Sequence, residues 1–131
     1  MTADDLGAFQ QAAHGATAPG HEYLAEFDPD YFRAFRAYVA DFINNRPDGV
    51  VPEKWRHLIN LSVLASSNAW DAARLHLRRA LLSGVTPKEI LQVLEIASVS
   101  GGMATLVGGV KILKEELDAL GRPFDGESPA G

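Results

Sequence analysis

The sequence contains no cysteine. Without a thiol, the chain cannot form a disulfide bond, use a cysteine nucleophile, hold a metal through thiolates or run CxxC redox chemistry. Peroxidase chemistry that passes through a sulfenate is excluded for the same reason. The absence of cysteine is also compatible with the cytoplasm, which is the location we expect.

Positive charge is scarce as well. Lys and Arg number 12 against 17 Asp and Glu, which gives a net charge of −5. Proteins that bind nucleic acids usually carry a basic excess, so no nucleic-acid partner is expected. No apolar run approaches the roughly 20 residues of a membrane-spanning helix. The N-terminal stretch MTADDLGAF has acids where a secretory signal has bases, so neither membrane association nor export is expected.

Apolar residues, by contrast, are plentiful enough for a core. They make up 47% of the 131 residues, and charged residues interrupt them at helical spacings. Neither a strand pattern nor an internal repeat is evident. We therefore predict an all-α fold, a compact single-domain bundle of about six helices over residues 1–131, with a disordered tail at residues 122–131.

The centre of this bundle is predicted to be an antiparallel helical hairpin in residues 53–84. Two runs with apolar residues at spacings of three and four meet at Ser66-Ser67-Asn68. Short polar residues interrupt the pattern there, and Asn68 is predicted to cap the second helix. So short a connection implies that the two helices are antiparallel neighbours.

Two histidines occupy matching positions on this hairpin. His57 precedes the turn and His76 follows it, each at a distance of about nine or ten residues. Because an α-helix rises ~1.5 Å per residue, the two imidazoles are expected at the same height across the helix pair. They form the one constellation in the sequence that suits acid–base chemistry.

Two helices are predicted before the hairpin. The first covers residues 3–13, and a loop follows at residues 14–20. The second begins at Asp28-Pro29, a capping carboxylate followed by proline, and continues to Asn44. Its apolar stripe is rich in aromatic residues and suits an anchor for the core or for a subunit interface. The aromatic members of this stripe are Tyr31, Phe32, Phe35, Tyr38 and Phe42.

Two more helices are predicted after the hairpin. Gly84 ends the hairpin, and the capping box Thr86-Pro87-Lys88-Glu89 starts the next helix. Residues 90–99 are apolar nearly all round, so this helix should be central. Gly101-Gly102 breaks it, and a last helix is predicted at about residues 103–120.

Two glycines lie inside the last predicted helix. Gly108 and Gly109 each cost roughly 1 kcal/mol of helix stability relative to alanine. Their presence suggests either that another backbone packs closely at this point or that a ligand binds there.

Three stretches resemble the carboxymuconolactone decarboxylase family, whose small all-helical fold is shared with the alkylhydroperoxidase-like peroxidases. They read EKWRHLINLSVLAS, ARLHLRRALLSGVTPKEILQVL and GGMATLVGGVKILKEEL, and they lie within residues 50–117. The middle stretch is the most specific, with a histidine, a short run to Ala-Leu, a glycine and a capped helix. The resemblance implies the all-α fold, a family core at residues 50–117 and a homo-oligomer, either a trimer or a hexameric trimer of dimers.

The chain departs from the family pattern at several positions. The family commonly carries a glutamate nineteen residues before its histidine, where this chain has His57. The two cysteines of the peroxidase branch correspond to Ala69 and Ala72. The tyrosine and proline of the decarboxylase branch correspond to Val99 and Met103. These differences imply that peroxidase activity is absent and that a decarboxylase of this sequence acts on a different substrate or is inactive.

The decarboxylase branch implies loss of carbon dioxide from a small carboxylated lactone, without a metal or an organic cofactor. Such chemistry needs cations for the carboxylates and a proton donor that titrates near neutrality, as histidine does. His76 is the candidate general acid, and His57 is a candidate proton shuttle or carboxylate contact. Arg79 and Arg56 are candidate carboxylate ligands, and Trp70 is a candidate wall of the pocket.

The same side chains also have structural interpretations. His76 can be a packed core histidine bonded to a carbonyl, and His57 can be structural too. Trp55 and Trp70 can be core aromatics, because large aromatic residues on helices usually face the core.

The remaining basic residues of the second hairpin helix fit a solvated face. Arg74 and Arg78 are predicted to pair with Asp71 or Glu89. A metal site needs three or more convergent ligands, and two aligned histidines with no placed carboxylate fall short of that number.

Three functions remain open at this point. The first is a cofactor-free lyase or isomerase for a small anionic ring or enol-lactone, as in the breakdown of aromatic compounds. The second is a non-catalytic, ligand-binding or assembly protein that keeps the family shape. The third is a metal-dependent enzyme. A pocket lined by both histidines and an arginine would favour the first function, and a pocket filled by side chains would favour the second.

Overall fold

The computed structural model describes residues 3–124, with side chains from Leu6 onward. Over these residues the chain forms seven α-helices and one π-helical segment, with no strand, which confirms the all-α prediction. By its contacts the described chain divides into two compact units, with the boundary between Pro52 and Glu53. Most of the predicted tail, residues 125–131, lies outside the described residues. Among the described helices, none combines the length and the apolar character needed to cross a bilayer.

The first unit is built on a small aromatic core. Phe9, Ala25 and Phe32 are buried together. The rings of Phe9 and Phe32 meet edge-on with centroids 5.6 Å apart, an arrangement that aromatic quadrupoles favour. The helical elements of this unit are α1 (Ala3–Ala12), α2 (Pro19–Phe27), α3 (Pro29–Ala37) and a π-helical segment (Tyr38–Asn44).

The helix α2 was not predicted, and its start lies in the expected loop at residues 14–20. Pro19 takes the first helical position, where a missing N–H costs nothing. The Nδ1 atom of His21 accepts a hydrogen bond of 3.0 Å from the backbone N–H of Ala18. Glutamate or glutamine usually makes this capping contact, so a histidine in that place concealed the helix start.

The helix predicted from Asp28 to Asn44 changes its form halfway. Asp28 caps α3 as predicted, since its carboxylate accepts a hydrogen bond of 3.1 Å from the N–H of Tyr31. The α-helix ends at Ala37, however, and the chain continues to Asn44 as a π-helix. A π-helix bonds each residue to the fifth one along and so has a wider turn.

The aromatic stripe is buried only in part. Phe32 is buried, whereas Tyr38 and Phe42 in the π-helical segment are 61% and 69% exposed. The wider π-helical turn changes the register of the second half of the stripe, but Tyr31 in α3 is also 62% exposed. Only part of the stripe therefore anchors a core within the described residues.

The second unit is a four-helix arrangement around one core. Its helices are α4 (Glu53–Ser66), α5 (Trp70–Leu82), α6 (Pro87–Gly101) and α7 (Met103–Leu120). The core is filled mainly by leucine, isoleucine and alanine at helical spacings. Its buried residues are Leu58, Leu61, Ala65, Ala73, Leu77, Ala80, Leu81, Val85, Ile90, Leu94, Ile112, Leu113 and Leu117.

The predicted hairpin of α4 and α5 is confirmed, but its turn is made differently. Asn68 has a φ of 58°, a left-handed conformation that asparagine tolerates better than most residues. It therefore ends α4 and does not cap α5. The N-cap residue of α5 is Ala69, which makes no side-chain capping bond.

The start of α6 is held in the predicted way. Thr86 and Glu89 exchange capping bonds, with the Thr86 N–H donating to Glu89 over 3.0 Å and the Glu89 N–H donating to Thr86 over 3.2 Å. Lys54 of α4 also binds the Glu89 carboxylate, and this contact, together with the capping bonds, holds the pKa of Glu89 below its usual value. The first turns of α4 and α6 are thereby joined.

The helix α6 is less central than predicted. Ile90 and Leu94 are fully buried, but Ile96 is 65% exposed and Val99 is 87% exposed. A helix that is apolar nearly all round was expected to be covered on every side. Within the described chain, only one side of α6 is covered.

Arg74 and Arg78 bind partners other than the predicted Asp71 and Glu89. Both reach Glu116 of α7, with nitrogen–oxygen distances of 3.1 and 2.5 Å. The side chain of Glu116 is only 2% exposed, so its charge must be paired to be tolerated. These contacts tie α5 to α7, and removing either arginine would leave the buried carboxylate with one cation instead of two.

Gly108 and Gly109 allow side chains of other helices to pack closely against α7. A Cβ atom at Gly108 would overlap the indole ring of Trp70, and one at Gly109 would overlap the end of Leu94. The close approach inferred from the sequence is therefore present, but side chains make it and not another backbone; ligand binding at this point stays a prediction.

The substitution Gly108→Ala should destabilise the protein. Alanine favours a helix by roughly 1 kcal/mol over glycine, but its methyl group would have to displace the large Trp70 ring, and such overpacking costs about 1–3 kcal/mol. The control is Gly7→Ala, at a helical glycine with open space around its Cβ position. Urea unfolding should show a loss for Gly108→Ala and a small gain or no change for Gly7→Ala. A Gly108→Ala protein as stable as the original would contradict this packing.

Candidate active site

The two imidazoles predicted to share one height do meet across the hairpin. The ring centroids of His57 and His76 are 6.0 Å apart, and the ring planes are inclined by 43°. The His57 side chain is only 12% exposed. The structure therefore brings together the two residues that the sequence singled out for acid–base chemistry.

Small residues on α5 allow this close approach. Ala73 and Ala80 lie one turn before and one turn after His76, and both are completely buried in the core. Ala65 of α4 is equally buried. Larger side chains at these positions would hold the helices farther apart, so the histidine contact depends on alanines that carry no chemistry.

The side chain of His57 forms a hydrogen bond with Glu53. The Oε1 atom of Glu53 lies 3.2 Å from Nε2 of the imidazole, one helical turn away on α4. Glu53 was not among the residues predicted for the site. The spacing of four residues between a carboxylate and a histidine was the available signal, because such pairs are neighbours on a helix surface.

Two arginines predicted for the site lie close enough to act on His57. Burial is the main cause that lowers the pKa of His57 below 6.5, and the positive charges of Arg79 and Arg56 lower it further. Glu53 opposes them, because its hydrogen bond and its charge favour the imidazolium. Burial also lowers the pKa of Arg79. The site thus has one carboxylate and two guanidinium groups around a mostly neutral imidazole.

The predicted role of Trp70 as a pocket wall stays a prediction. The structure places this residue in the first turn of α5, partly buried against the core and packed on Gly108 of α7. That contact accounts for an aromatic residue at this position without a ligand.

Trp55, the other tryptophan, lines a groove between α4 and α6. The groove has a volume of about 530 Å³ and is mainly apolar. The hydroxyls of Ser62 and Ser67 in this lining donate to backbone carbonyls of α4. The lining residues are Trp55, Leu58, Ile59, Ser62, Val63, Ser66, Ser67, Val93, Ile96, Ala97 and Ser100. Neither histidine of the pair belongs to this groove.

A metal site was the third possibility left open by the sequence. Among the described residues, no group of three or more histidine, aspartate and glutamate side chains is arranged to hold a metal ion.

The model of the carboxymuconolactone decarboxylase family matches residues 29–115. The chain therefore belongs to this family. No curated protein matches it.

A crystal structure shares the fold. It is that of a "putative carboxymuconolactone decarboxylase" from Burkholderia xenovorans LB400, with a TM-score of 0.70. The two chains are 21% identical, and the match covers 90% of this chain and 95% of the other. At that identity the likeness shows the fold alone.

The pKa of His57 should be measurable and should respond to Arg79. Because its folded value lies below the roughly 6.5 of an unfolded histidine, the unfolded state binds more protons as the pH falls. The contribution of His57 to the free energy of unfolding is therefore fully present above about pH 6.5, and it is lost as the pH falls through the folded pKa.

The substitution Arg79→Met removes a nearby positive charge and should raise the His57 pKa, as measured by NMR titration.

Lys114→Met is the matched control for this titration, because Lys114 is an exposed cation paired with Asp118 on α7. It should leave the His57 titration where it was. An unchanged or lowered His57 pKa in Arg79→Met would show that Arg79 does not act on the imidazole.

Proposed function

We propose that the protein is a cofactor-free lyase that acts on a small carboxylated lactone or a related anionic ring compound. The observation that carries this proposal is the contact between His57 and His76 beside the guanidinium of Arg79. Family membership supports a decarboxylase-like or alkylhydroperoxidase-like protein. The absence of cysteine favours the first of these, since thiol redox chemistry has no nucleophile here.

In the proposed reaction, the arginines bind the substrate and the histidines transfer protons. Arg79 and Arg56 hold the carboxylates of the substrate. The bond between the ring and one carboxylate breaks, carbon dioxide leaves, and the electron pair moves into the conjugated lactone. His76 then donates a proton to carbon as the general acid. His57 relays a replacement proton to His76, a task that suits an imidazole that is mostly neutral at pH 7.

The substitution His76→Asn tests this assignment. It should lower turnover of a carboxylated lactone by about 10²- to 10⁴-fold, the usual share of a general acid, with little change in melting temperature. His57→Asn should reduce turnover less or mainly weaken substrate binding. Decarboxylation is followed by loss of the lactone absorbance, and stability by thermal unfolding of the same preparations.

The control for both variants is His14→Asn. His14 is exposed and has a φ of 56°, a conformation that asparagine also adopts. This variant should retain full turnover. If His76 is only structural, His76→Asn would instead lose about 1–3 kcal/mol of stability through a lost buried hydrogen bond. A destabilised but fully active His76→Asn protein would end the catalytic proposal.

The alternative function is that of a ligand-binding or assembly protein that keeps the family fold. The apolar groove between α4 and α6 favours this alternative, because a volume of about 530 Å³ is within the usual range for a small-molecule site. It contains no titratable side chain, so a ligand bound there would be held without acid–base chemistry.

We also propose that the protein works as a homo-oligomer, a trimer or a hexameric trimer of dimers. In the first unit Tyr31 and Phe42 expose large apolar surfaces, and in the second unit Ile96, Val99 and Met103 do so. Exposed apolar residues in such number are typical of an interface. Sedimentation equilibrium at micromolar concentration should therefore show an assembly larger than the 14.1 kDa chain. A stable, folded monomer under these conditions would overturn the proposal.

A further inference from the structure

The contact between Glu53 and His57 determines which ring nitrogen carries the hydrogen. Oε1 of Glu53 lies 3.2 Å from Nε2 of His57. An ionised carboxylate can only accept a hydrogen bond, so the imidazole must be the donor and Nε2 must be protonated. In the neutral ring the lone pair then lies on the other nitrogen, Nδ1.

The carboxylate of Glu53 is well placed to stay ionised and in position. It lies in the first turn of α4, where the partial positive charge of the helix N-terminus favours an anion. The next residue, Lys54, binds Glu89 of α6, and Glu89 is itself fixed by the capping box with Thr86. The turn that carries Glu53 is thus anchored to a second helix.

We propose that Glu53 is a positioning residue, which holds the His57 ring through Nε2 so that Nδ1 is the nitrogen offered for proton transfer. The part of this inference that concerns turnover rests on the proposed function. The part that concerns the ring does not, because the hydrogen bond exists whether or not the protein is an enzyme.

The charged groups around His57 determine what loss of Glu53 would do. On α4 these are Glu53 and Arg56, and on α5 they are His76 and Arg79. On α6, the carboxylate of Glu89 is bound by Lys54. Removing Glu53 therefore leaves the imidazole between guanidinium groups and without its anionic partner.

The experiment compares Glu53→Gln with Glu53→Ala in the full chain by NMR. Glutamine keeps an oxygen acceptor for Nε2–H but loses the charge, so the titration midpoint of His57 should shift to lower pH while the ring keeps its place and its tautomer. Alanine removes both, so the midpoint should shift and the ring contacts between His57 and His76 should weaken. The control is Asp71→Asn, which removes an exposed first-turn acid of α5 and should leave the His57 signals unchanged.

The activity of the same variants provides the second measurement. Glu53→Ala should reduce kcat by up to about 100-fold, as expected for a misplaced catalytic group. Glu53→Gln should retain most of kcat, and the part of its kcat/KM profile that follows His57 should move to lower pH with the NMR midpoint. Rescue of kcat by glutamine is not expected from a residue that merely stabilises the helix through its charge.

The NMR comparison and the activity measurement test different parts of the proposal. Unchanged His57 signals in Glu53→Ala would overturn the positioning role itself. Changed signals with an unchanged kcat/KM profile would overturn the use of Nδ1 in turnover. A wild-type protein without turnover would contradict the proposed function, and the NMR comparison would still decide whether Glu53 holds the ring.

Discussion

The acid–base chemistry proposed for this protein depends on how closely α4 packs against α5. Ala65, Ala73 and Ala80 are completely buried between the helices of the second unit, and their small size lets two helix surfaces approach. The approach places His57 and His76 with ring centroids 6.0 Å apart. It also buries His57 and Arg79, and burial is the main cause of the lowered pKa of each. The small buried alanines thus determine how close the two histidines lie.

The arginines of α5 are divided between two tasks by their helical positions. Arg74 and Arg78, four residues apart, face α7 and bind Glu116 there. The hydrogen bond of Arg74 to the neighbouring Glu115 is the first cause that raises the arginine's pKa. Arg79 instead lies near His57. One helix therefore uses its cations both to join the unit and to place positive charge at the candidate site.

The sequence was sufficient to predict features that depend on local spacing. The hairpin and the alignment of the two histidines follow from helical periodicity, the Thr86 capping box follows from residue types at a fixed spacing, and all three are present. Features that depend on another element were missed. In the sequence, Glu116 cannot be distinguished from the exposed polar residues of α7, because its burial depends on α5. The sequence around Gly108 likewise does not indicate that Trp70 is the residue that packs against it. The π-helical segment from Tyr38 to Asn44 was missed because its apolar pattern also fits an α-helix.

A crystal structure with a small dicarboxylate bound would show whether the histidine pair forms a substrate site. The ligand is expected between α4 and α5, with a carboxylate on Arg79 or Arg56 and a carbon atom within reach of His76. Occupation of the apolar groove between α4 and α6, with the histidine pair untouched, would contradict the acid–base account and favour a binding protein.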